Sequence, residues 1–280
     1  MTDFLSYNGR FYPSDTLLVG ASNRGLRYGD GLFETLRFSD GKVHLADWHM
    51  ERLFNGLKLL CFDLPGNFTP GYLIKQIAEL SQKNGYSTAR VRLTVFRGDG
   101  AVFEQRDQFP NCIIQTWQLP SAEFTLNENG LVTGIYRKAR KAIDHFSNLK
   151  TNNYLPYTMA ALQAQQEKWD DAFVLNSAER ICDATIANVF LVKKNIIYTC
   201  PLQEGCIAGI MRRFLIDRLP ENGFTLQEKS ISEEDLVNAD EVFLTNAIRG
   251  IRWVGNCGNS RYSNQLTKVI FNTMFKKTTV

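Results

Sequence analysis

The stretch Ser147-Asn148-Leu149-Lys150-Thr151-Asn152-Asn153-Tyr154-Leu155-Pro156-Tyr157 contains one amine, that of Lys150, among amides, hydroxyls and aromatic rings. No carboxylate stands next to Lys150 in the sequence. A desolvated lysine without a salt-bridge partner has its charged form disfavoured, which suits an amine that must lose its proton and form an imine. The alternative is a solvated surface cation, and the rest of the chain has to decide between the two.

The size and composition of the chain indicate a folded protein with room for two domains. It has 280 residues, of which 44% are apolar and 22% charged, as in ordinary globular proteins. The net charge is only +3 and the basic residues are dispersed, so we expect no nucleic-acid partner. One local run, Arg137, Lys138, Arg140 and Lys141, is either a solvated strand end or a rim that attracts an anionic substrate.

The cysteines, the histidines and the first residues indicate which metal sites, disulfides and cellular compartment to expect. The six cysteines include no C-x-x-C pair, and we expect reduced, mostly buried thiols. With three histidines and no H-x-x-x-H pair, we expect no histidine-based metal centre. The first residues lack a basic start followed by an apolar run, and no apolar segment approaches membrane-spanning length. We therefore expect a cytoplasmic protein without a membrane partner.

Turn signals and hydrophobic periodicity predict an α+β chain. Asn8-Gly9 and Ser39-Asp40-Gly41 each separate two strand-like runs, which predicts two hairpins. Leu119-Pro120-Ser121-Ala122 is the best linker, which predicts domains over 1–118 and 122–280. Helices are predicted over 46–60, 70–84, 154–169, 210–219 and after Ser263, and strands over 90–97, 111–118, 172–176, 181–192, 196–199 and 241–245.

Asp183 is an acid within a predicted strand pair that should be mostly buried. A buried carboxylate needs a cationic partner, and the protonated ring nitrogen of pyridoxal phosphate would serve as one. The alternative is that Asp183 belongs to a turn or caps a backbone amide.

A glycine-containing loop, 203–209, runs into the predicted helix that begins at Ile210. The first amides of a helix bind phosphates, so the N–H groups of Ile210 and Met211 are candidates for the cofactor's phosphate. Arg52 is a candidate for a bidentate contact with the same phosphate. The alternative for Arg52 is an exposed helix cation near Glu51.

The order of these motifs resembles the class IV aminotransferases, the pyridoxal-phosphate enzymes of fold type IV. That family includes branched-chain and D-amino-acid aminotransferases and aminodeoxychorismate lyase. No one of the matching strings is specific, whereas their order and spacing over nearly the whole chain are. The strings are Arg27-Tyr28-Gly29-Asp30-Gly31-Leu32-Phe33-Glu34-Thr35, His49 to Leu53, Lys150 with Asn153 and Tyr154, Asp183 to Phe190, Gly209 to Arg212, and Glu241 to Ala247.

The resemblance implies a two-domain fold, with a small α/β N-terminal domain and a larger C-terminal pseudo-barrel domain that carries the lysine. It implies that Lys150 is the Schiff-base lysine and proton shuttle, that pyridoxal 5'-phosphate lies between the domains, and that the protein is a homodimer. The implied cofactor-binding residues are Arg52, Tyr154, Asp183, Ile210, Met211 and Asn246. The implied substrate-binding residues are Phe33, Thr35, Arg37, Arg97 and Ala247.

Three positions depart from the family's pattern. Asp183 stands where the family normally has glutamate, and Met211 replaces a threonine of the helix-start motif. Val102 stands where the lyase branch offers an arginine that captures a carboxylate. Arg37, Arg97 and Arg106 are the candidates to replace that arginine.

Three functions follow as hypotheses. The first is transamination between an amino acid, branched-chain-like in the resemblance, and a 2-oxo acid, with Lys150 as the acid-base in both halves. The second is an aminodeoxychorismate lyase releasing pyruvate and 4-aminobenzoate, which the string Leu244-Thr245-Asn246-Ala247-Ile248-Arg249-Gly250 favours. The third is a catalytically idle protein that binds a phosphorylated ligand or acts as an interaction module, and the presence of Lys150 argues against it.

Overall fold

The computed structural model describes residues 3–103 and 108–276, and the chain divides into two compact units. The first unit comprises Met1–Glu123 and Leu149–Tyr154, and the second comprises Phe124–Asn148 and Leu155–Val280. The prediction had assigned Lys150 to the second domain, whereas its contacts group it with the first unit. The reason is backbone pairing: Phe33 N donates to the Lys150 carbonyl at 2.9 Å, and Asn152 N donates to the Gly31 carbonyl at 2.9 Å.

The first unit contains a six-stranded antiparallel sheet in the order β2-β1-β6-β5-β3-β4. Both predicted hairpins are confirmed. Asn8 and Gly9 adopt positive φ angles of 49° and 81°, as the tight turn between the first two strands requires. The strands are β1 (Phe4–Tyr7), β2 (Arg10–Pro13), β3 (Gly31–Ser39), β4 (Lys42–Val43), β5 (Thr88–Phe96) and β6 (Asn111–Gln118).

Three helices accompany this sheet, α1 (Arg24–Tyr28), α2 (Ala46–Leu59) and α3 (Pro70–Lys83). The Thr69 side chain caps α3 by accepting from Tyr72 N, and Pro70 occupies its first turn. Side chains alternate across β5, so Val91, Leu93 and Val95 enter the core with leucines and isoleucines of α2 and α3. The intervening positions, Arg90, Arg92 and Thr94, are less buried and lie on the opposite face of the sheet.

The second unit contains a nine-stranded mixed sheet in the order β12-β11-β10-β13-β14-β7-β8-β9, with β15 paired to β14. The prediction of one strand over 181–192 is wrong, because a turn at 185–187 separates two strands there. The strands are β7 (Leu131–Lys141), β8 (Asp171–Asn176), β9 (Ile181–Ala184), β10 (Asn188–Lys193), β11 (Ile196–Thr199), β12 (Thr225–Glu228), β13 (Glu241–Asn246), β14 (Gly250–Cys257) and β15 (Ser260–Arg261).

The helices of the second unit are α4 (Leu155–Gln166), α5 (Ile210–Glu221), α6 (Glu233–Val237) and α7 (Gln265–Phe275). The predicted α4, α5 and α7 are confirmed, whereas α6 and the strands β12, β14 and β15 were not predicted. The α+β class is therefore confirmed. Within residues 3–103 and 108–276, no helix has both the length and the apolar character needed to span a bilayer.

Candidate active site

Lys150 lies against two aromatic rings of the first unit. Its Nζ is 4.4 Å from the centroid of the Phe33 ring and 5.5 Å from that of Tyr154. The two rings meet edge to face, with centroids 5.3 Å apart. Phe33 is buried, and Lys150 and Tyr154 are half-buried. Two of the predicted site residues, Phe33 and Tyr154, thus lie around the amine of a third, Lys150.

Arg92, which was not predicted, contacts the same aromatic ring. Its Cζ is 3.9 Å from the Phe33 centroid, and its Nε donates to Thr94 Oγ1 at 3.2 Å. The register of β3 and β5 places Arg92 opposite Thr35. Burial, together with the nearby Arg90, lowers the pKa of the Arg92 guanidinium from its usual high value. The alternation of β5 was the sequence signal that could have revealed this residue.

The predicted anchors Arg37 and Arg97 are both engaged within the protein. Arg37 Nη2 donates to the carbonyls of Ser121 and Glu123 at 2.5 and 3.0 Å. Arg97 is buried, lies 4.1 Å from the centroid of the Phe62 ring, and donates to four groups, the side chains of Asp30 and Gln108 and the carbonyls of Leu60 and Cys61. Arg106 lies outside the described residues. Arg37 and Arg97 therefore use these donors in contacts within the protein, which connect strands to loops.

Glu34, His49 and Arg52 form a buried charged cluster, called here the Glu34 cluster. Arg52 donates from Nε and Nη2 to the two carboxylate oxygens of Glu34 at 2.7 and 2.6 Å. His49 Nδ1 lies 2.8 Å from Glu34 Oε2. Burial raises the pKa of Glu34, but Arg52 and His49 outweigh it and bring that pKa to about 2. Burial lowers the pKa of His49, which Glu34 only partly offsets.

The Glu34 cluster follows from the local structure. Glu34 and Phe33 are neighbours on β3 and therefore point to opposite faces of the sheet. His49 and Arg52 are three residues apart on α2 and share one face of that helix. The carboxylate consequently holds the Arg52 guanidinium in one orientation through a bidentate pair. Glu34 and His49 stand within two of the strings that resemble the family, but no role was predicted for either side chain.

Asp183 is the centre of a second buried network, called here the Asp183 cluster. Its Oδ2 accepts from Tyr157 Oη at 2.7 Å, from Ile207 N at 3.0 Å and from Lys141 Nζ at 3.1 Å. Its Oδ1 accepts from Asn188 Nδ2 at 2.8 Å. The cation that a buried carboxylate requires is therefore supplied by Lys141. Lys141, Tyr157 and Asn188 were missed, because their partners are distant in the sequence.

Three buried thiols, those of Cys182, Cys200 and Cys206, lie near Asp183. The six cysteines are free thiols and four of them are buried, as predicted. Burial raises the pKa of the Cys182 thiol, and a hydrogen bond with Cys206 raises that of Cys200. Throughout the part of the chain that the structure describes, no group of three or more His, Cys, Asp or Glu side chains is arranged to hold a metal ion.

The N-terminus of α5 lies next to the Asp183 cluster. Gly209 is the N-cap, and within the described part of the chain no side-chain cap hydrogen bond is made to the first amides of the helix. A Cβ added at Gly209 would lie 1.8 Å from Oδ1 of Asn188, the residue that also donates to Asp183. Ile210 and Met211 are buried at this helix start. Glycine is therefore required for the close approach of the loop to Asn188.

Asn246 is the last residue of β13, and Ala247 lies in the turn between β13 and β14. Asn246 Oδ1 accepts from the backbone N–H groups of Ile248 and Arg249 at 3.0 and 2.9 Å. Its Nδ2 donates to the Ile186 carbonyl at 3.3 Å. The Asn246 side chain thus shapes two adjoining turns, and both Asn246 and Ala247 are half-buried.

The sequence of this chain is similar to those of known aminotransferases and of an aminodeoxychorismate lyase. The model of the amino-transferase class IV family matches residues 31–257. A provisionally named branched-chain-amino-acid aminotransferase of Methanocaldococcus jannaschii is 30% identical over 266 residues, covering 93% of this chain and 91% of the relative. Aminodeoxychorismate lyase of Bacillus subtilis is 29% identical over 247 residues, covering 86% of this chain and 82% of the relative.

The fold is shared with a solved structure. Branched-chain aminotransferase of Thermoproteus uzoniensis superimposes with a TM-score of 0.86 at 24% identity, covering 98% of this chain and 94% of that one. The family match spans most of the chain and includes Phe33, Arg52, Lys150 and Asp183. This chain belongs to the class IV aminotransferases, a family of pyridoxal-phosphate-dependent enzymes.

Proposed function

We propose that the chain is an aminotransferase that moves an amino group between an amino acid with an apolar, branched-chain-like side chain and a 2-oxo acid. The observation that carries this proposal is the shared Phe33 ring, which Lys150 Nζ and Arg92 Cζ approach to 4.4 and 3.9 Å. An α-amino acid has its amino group and its carboxylate on neighbouring atoms. An amine and a guanidinium over one aromatic ring suit both groups.

The residues present fit the phosphate of pyridoxal phosphate. The start of α5 has amides without a side-chain cap, and Gly209 leaves no space for a Cβ. Helix N-termini and guanidinium groups are both strong phosphate-binding elements, so Ile210, Met211 and Arg52 would hold this group. Met211 retains the amide that a threonine would also offer, but lacks the hydroxyl.

The residues also fit the ring of the cofactor. A carboxylate offers about four acceptor positions, and among the described residues Oδ1 of Asp183 accepts one hydrogen bond, from Asn188, which leaves an acceptor position for a protonated ring nitrogen. Tyr154 would donate to the phenolic oxygen. When bound, the cofactor supplies a conjugated ring that delocalises negative charge from the substrate Cα.

Lys150 would carry the proton transfers of the reaction. Its amine would hold the cofactor covalently, and the same amine would hold and move the proton of the substrate Cα. The Phe33 and Tyr154 rings limit the access of water to this amine and restrict its movement. Arg92 would hold the substrate carboxylate, and Phe33 would contact the apolar side chain.

The central test compares the purified protein with its Lys150→Ala variant. With pyridoxal phosphate, the wild type should show the visible absorbance band of a lysine-bound cofactor and should form glutamate from L-leucine or L-valine plus 2-oxoglutarate. Lys150→Ala should lose both, and Lys138→Ala, an exposed lysine, should keep both. A wild type without the band at saturating cofactor would refute the proposal, as would a band without glutamate from either L- or D-amino acids.

Arg92→Gln tests the carboxylate anchor. Loss of a hydrogen-bonded charge costs about 1.5–3 kcal/mol, which corresponds to a decrease in kcat/KM of roughly tenfold to a hundredfold. Arg90→Gln is the matched control, because Arg90 is exposed and stacks on Trp117 at 5.3 Å. Equal kcat/KM values for the two variants would exclude Arg92 as the anchor.

Aminodeoxychorismate lyase is the second candidate, and one observation favours it. Arg249 is exposed and Arg252 is half-buried. Burial lowers the pKa of the Arg252 guanidinium, and the positive charge of the nearby Arg249 lowers it further. Two neighbouring cations suit a substrate that has two carboxylates, as aminodeoxychorismate has. Pyruvate and 4-aminobenzoate formed from aminodeoxychorismate, without glutamate from the amino-acid assays, would replace transamination by this activity.

We also propose that the protein works as a cytoplasmic homodimer. The first unit exposes large apolar side chains, with Leu17, Leu26 and Phe103 exposed by 99, 66 and 96%. Apolar side chains that are exposed together as one patch commonly bind a partner. Light scattering should give twice the chain mass of 31.9 kDa, and a monomer at micromolar concentration would contradict this proposal.

A further inference from the structure

We propose that the Thr94 hydroxyl holds the Arg92 guanidinium in the orientation that binds the substrate carboxylate. Thr94 is thus a positioning residue, because it acts on the substrate through Arg92. This inference rests on the proposed function, in which Arg92 is the carboxylate anchor.

Thr94 and Arg92 form a compact block with Phe33 and Thr35 on the face of the sheet opposite to α2 and α3, called here the Arg92 face. The register of β3 and β5 places Thr94 directly opposite Phe33, and Arg92 directly opposite Thr35. Side chains two positions apart on a strand share one face, so all four lie on the same side of the sheet. Arg92 therefore has a hydroxyl beside it on its own strand and a ring diagonally across on the next strand.

Two contacts fix the guanidinium of Arg92. Its Nε donates to Thr94 Oγ1 at 3.2 Å, and its Cζ lies 3.9 Å from the centroid of the Phe33 ring. The ring attracts the cation to its face but leaves it able to rotate there, because the attraction does not select one edge of the guanidinium. A hydrogen bond is directional and opposes this rotation. The Thr94 hydroxyl therefore sets which edge of the guanidinium remains for a ligand.

The edge that remains is the one with the paired N–H groups. A guanidinium has five N–H donors, and Thr94 uses the one on Nε. Within residues 3–103 and 108–276, Arg92 makes no other side-chain hydrogen bond and no ion pair. The N–H groups on Nη1 and Nη2 match the two oxygens of a carboxylate. Holding Nε on Thr94 thus presents the terminal fork of Arg92 to the substrate.

The charge of Arg92 makes its orientation valuable for binding. It is a half-buried cation without a carboxylate partner in the described part of the chain, and burial together with the nearby Arg90 lowers its pKa. Such a cation is stabilised by an anionic ligand. A long side chain loses rotamer freedom when it binds a ligand, and this loss is smaller when the side chain is already held in place. Thr94 therefore favours the binding of a carboxylate by Arg92.

The alternative role of Thr94 is structural, because threonine is a common strand residue. Valine separates the two roles, since it has the same branched shape and a high strand preference but no hydroxyl. Serine keeps the hydroxyl and lacks the branch. A structural role predicts that Thr94→Ser is the more damaging variant, whereas the orienting role predicts that Thr94→Val is.

The test measures the binding of 4-methylpentanoate, which has the carboxylate and branched chain of leucine but no amino group, to the protein loaded with pyridoxal phosphate. In isothermal titration calorimetry, the Kd should be about tenfold higher for Thr94→Val than for the wild type, the effect of one hydrogen bond to a charged group. Thr94→Ser should bind this ligand as the wild type does. The uncharged 4-methylpentanamide should have the same Kd for all three proteins.

Thr225→Val is the matched control, because Thr225 is an exposed strand threonine of the second unit. It should leave the Kd of both ligands unchanged. Far-ultraviolet circular dichroism identifies the folded variants, and Thr94→Ala replaces Thr94→Val if the latter does not fold.

The outcomes separate this inference from the proposed function. Wild-type protein without the band of a lysine-bound cofactor, or without glutamate from amino acids, overturns the proposed function. A wild type with both overturns the role of Thr94 alone if its Kd for 4-methylpentanoate equals that of folded Thr94→Val. The same conclusion follows if 4-methylpentanamide is weakened equally, or if Thr94→Ser binds as weakly as Thr94→Val.

Discussion

The Glu34 cluster and the Asp183 cluster both bury one carboxylate, yet they use it in opposite ways. In the Glu34 cluster, the carboxylate receives both arms of Arg52 and orients the guanidinium, which is the group proposed to bind the ligand. In the Asp183 cluster, the carboxylate is the proposed ligand-binding group, and Lys141, Tyr157, Asn188 and Ile207 N orient it. Each unit therefore contains one charged group whose orientation is set by buried partners within that unit.

The two clusters differ in the number of cationic and neutral donors that contact the carboxylate. A bidentate guanidinium and a histidine bring the pKa of Glu34 to about 2, so this carboxylate stays ionised under all physiological conditions. Asp183 has a single ammonium and three neutral donors, and one acceptor position on Oδ1 remains.

Glu34→Gln should have the largest effect on stability. With a pKa near 2 in place of 4.5, ionised Glu34 contributes about 3 kcal/mol to the free energy of unfolding. Because its pKa is lowered by folding, this contribution is fully present above pH 4.5 and is lost as the pH falls toward 2. Urea unfolding of the wild type should therefore weaken on acidification more steeply than that of the variant. Asp15→Asn, at an exposed carboxylate, is the control, and parallel pH profiles for Glu34→Gln and wild type would contradict the account.

Tyr157→Phe should have a smaller effect, confined to the Asp183 cluster. The variant removes one hydrogen bond to a charged group, which costs about 1.5–3 kcal/mol. The free energy of unfolding in urea measures this loss. Tyr198→Phe is a control in the same unit, where the ring contacts Lys229 at 4.7 Å and should tolerate the change. If both variants lose the same stability, Tyr157 has no special part in holding Asp183.

Arg52→Lys tests whether the Glu34 cluster serves orientation. The charge is kept but the planar fork is lost, and we expect the Kd for pyridoxal phosphate to rise by about tenfold, or about 1.4 kcal/mol. Fluorescence titration of the apo-protein provides the Kd. Arg218→Lys, in an exposed pair with Glu221, should leave it unchanged. An unaltered Kd in Arg52→Lys would mean that charge alone is sufficient.

Thiol labelling compares the packing of the two regions without altering stability. Cys61 is exposed in the first unit, whereas Cys182 and Cys200 are fully buried beside Asp183 and have raised pKa values. Buried thiols with raised pKa values react slowly. Mass spectrometry after brief labelling should find the label on Cys61 and find Cys182 and Cys200 unlabelled until the protein is unfolded. Labelling of Cys182 at the rate of Cys61 would show that the Asp183 cluster opens readily.

Local signals were sufficient for many elements. Asn8-Gly9 adopts the positive φ angles that its residue types allow, and the bounds of β6 (Asn111–Gln118) agree with the predicted 111–118. The strand predicted over 181–192 failed for a reason of longer range. Thr185 donates to Asp171 Oδ1 from both its N–H and its hydroxyl, at 3.0 and 2.6 Å, which stabilises a turn where the sequence reads as continuous strand.

In the candidate site, too, some residues could be recognised from local sequence and others only from contacts in the folded chain. Lys150, Asp183 and the start of α5 were recognisable because each belongs to a short motif of characteristic composition. Arg92, Lys141 and Tyr157 belong to no such motif. Their roles depend on ring contacts and hydrogen bonds to residues that are 26 to 59 positions away, as in the pairs Tyr157–Asp183, Lys141–Asp183 and Arg92–Phe33.

The amino-acid sequence alone determined the family, the order of most helices and strands, and the identity of the central amine, because periodicity, turn chemistry and motif order are local properties of a chain. The tertiary structure alone decided which charges are buried together, and hence which carboxylate orients a cation and which is oriented by one. Burial and electrostatic pairing depend on distances between groups that are remote in sequence, and only the folded chain sets those distances.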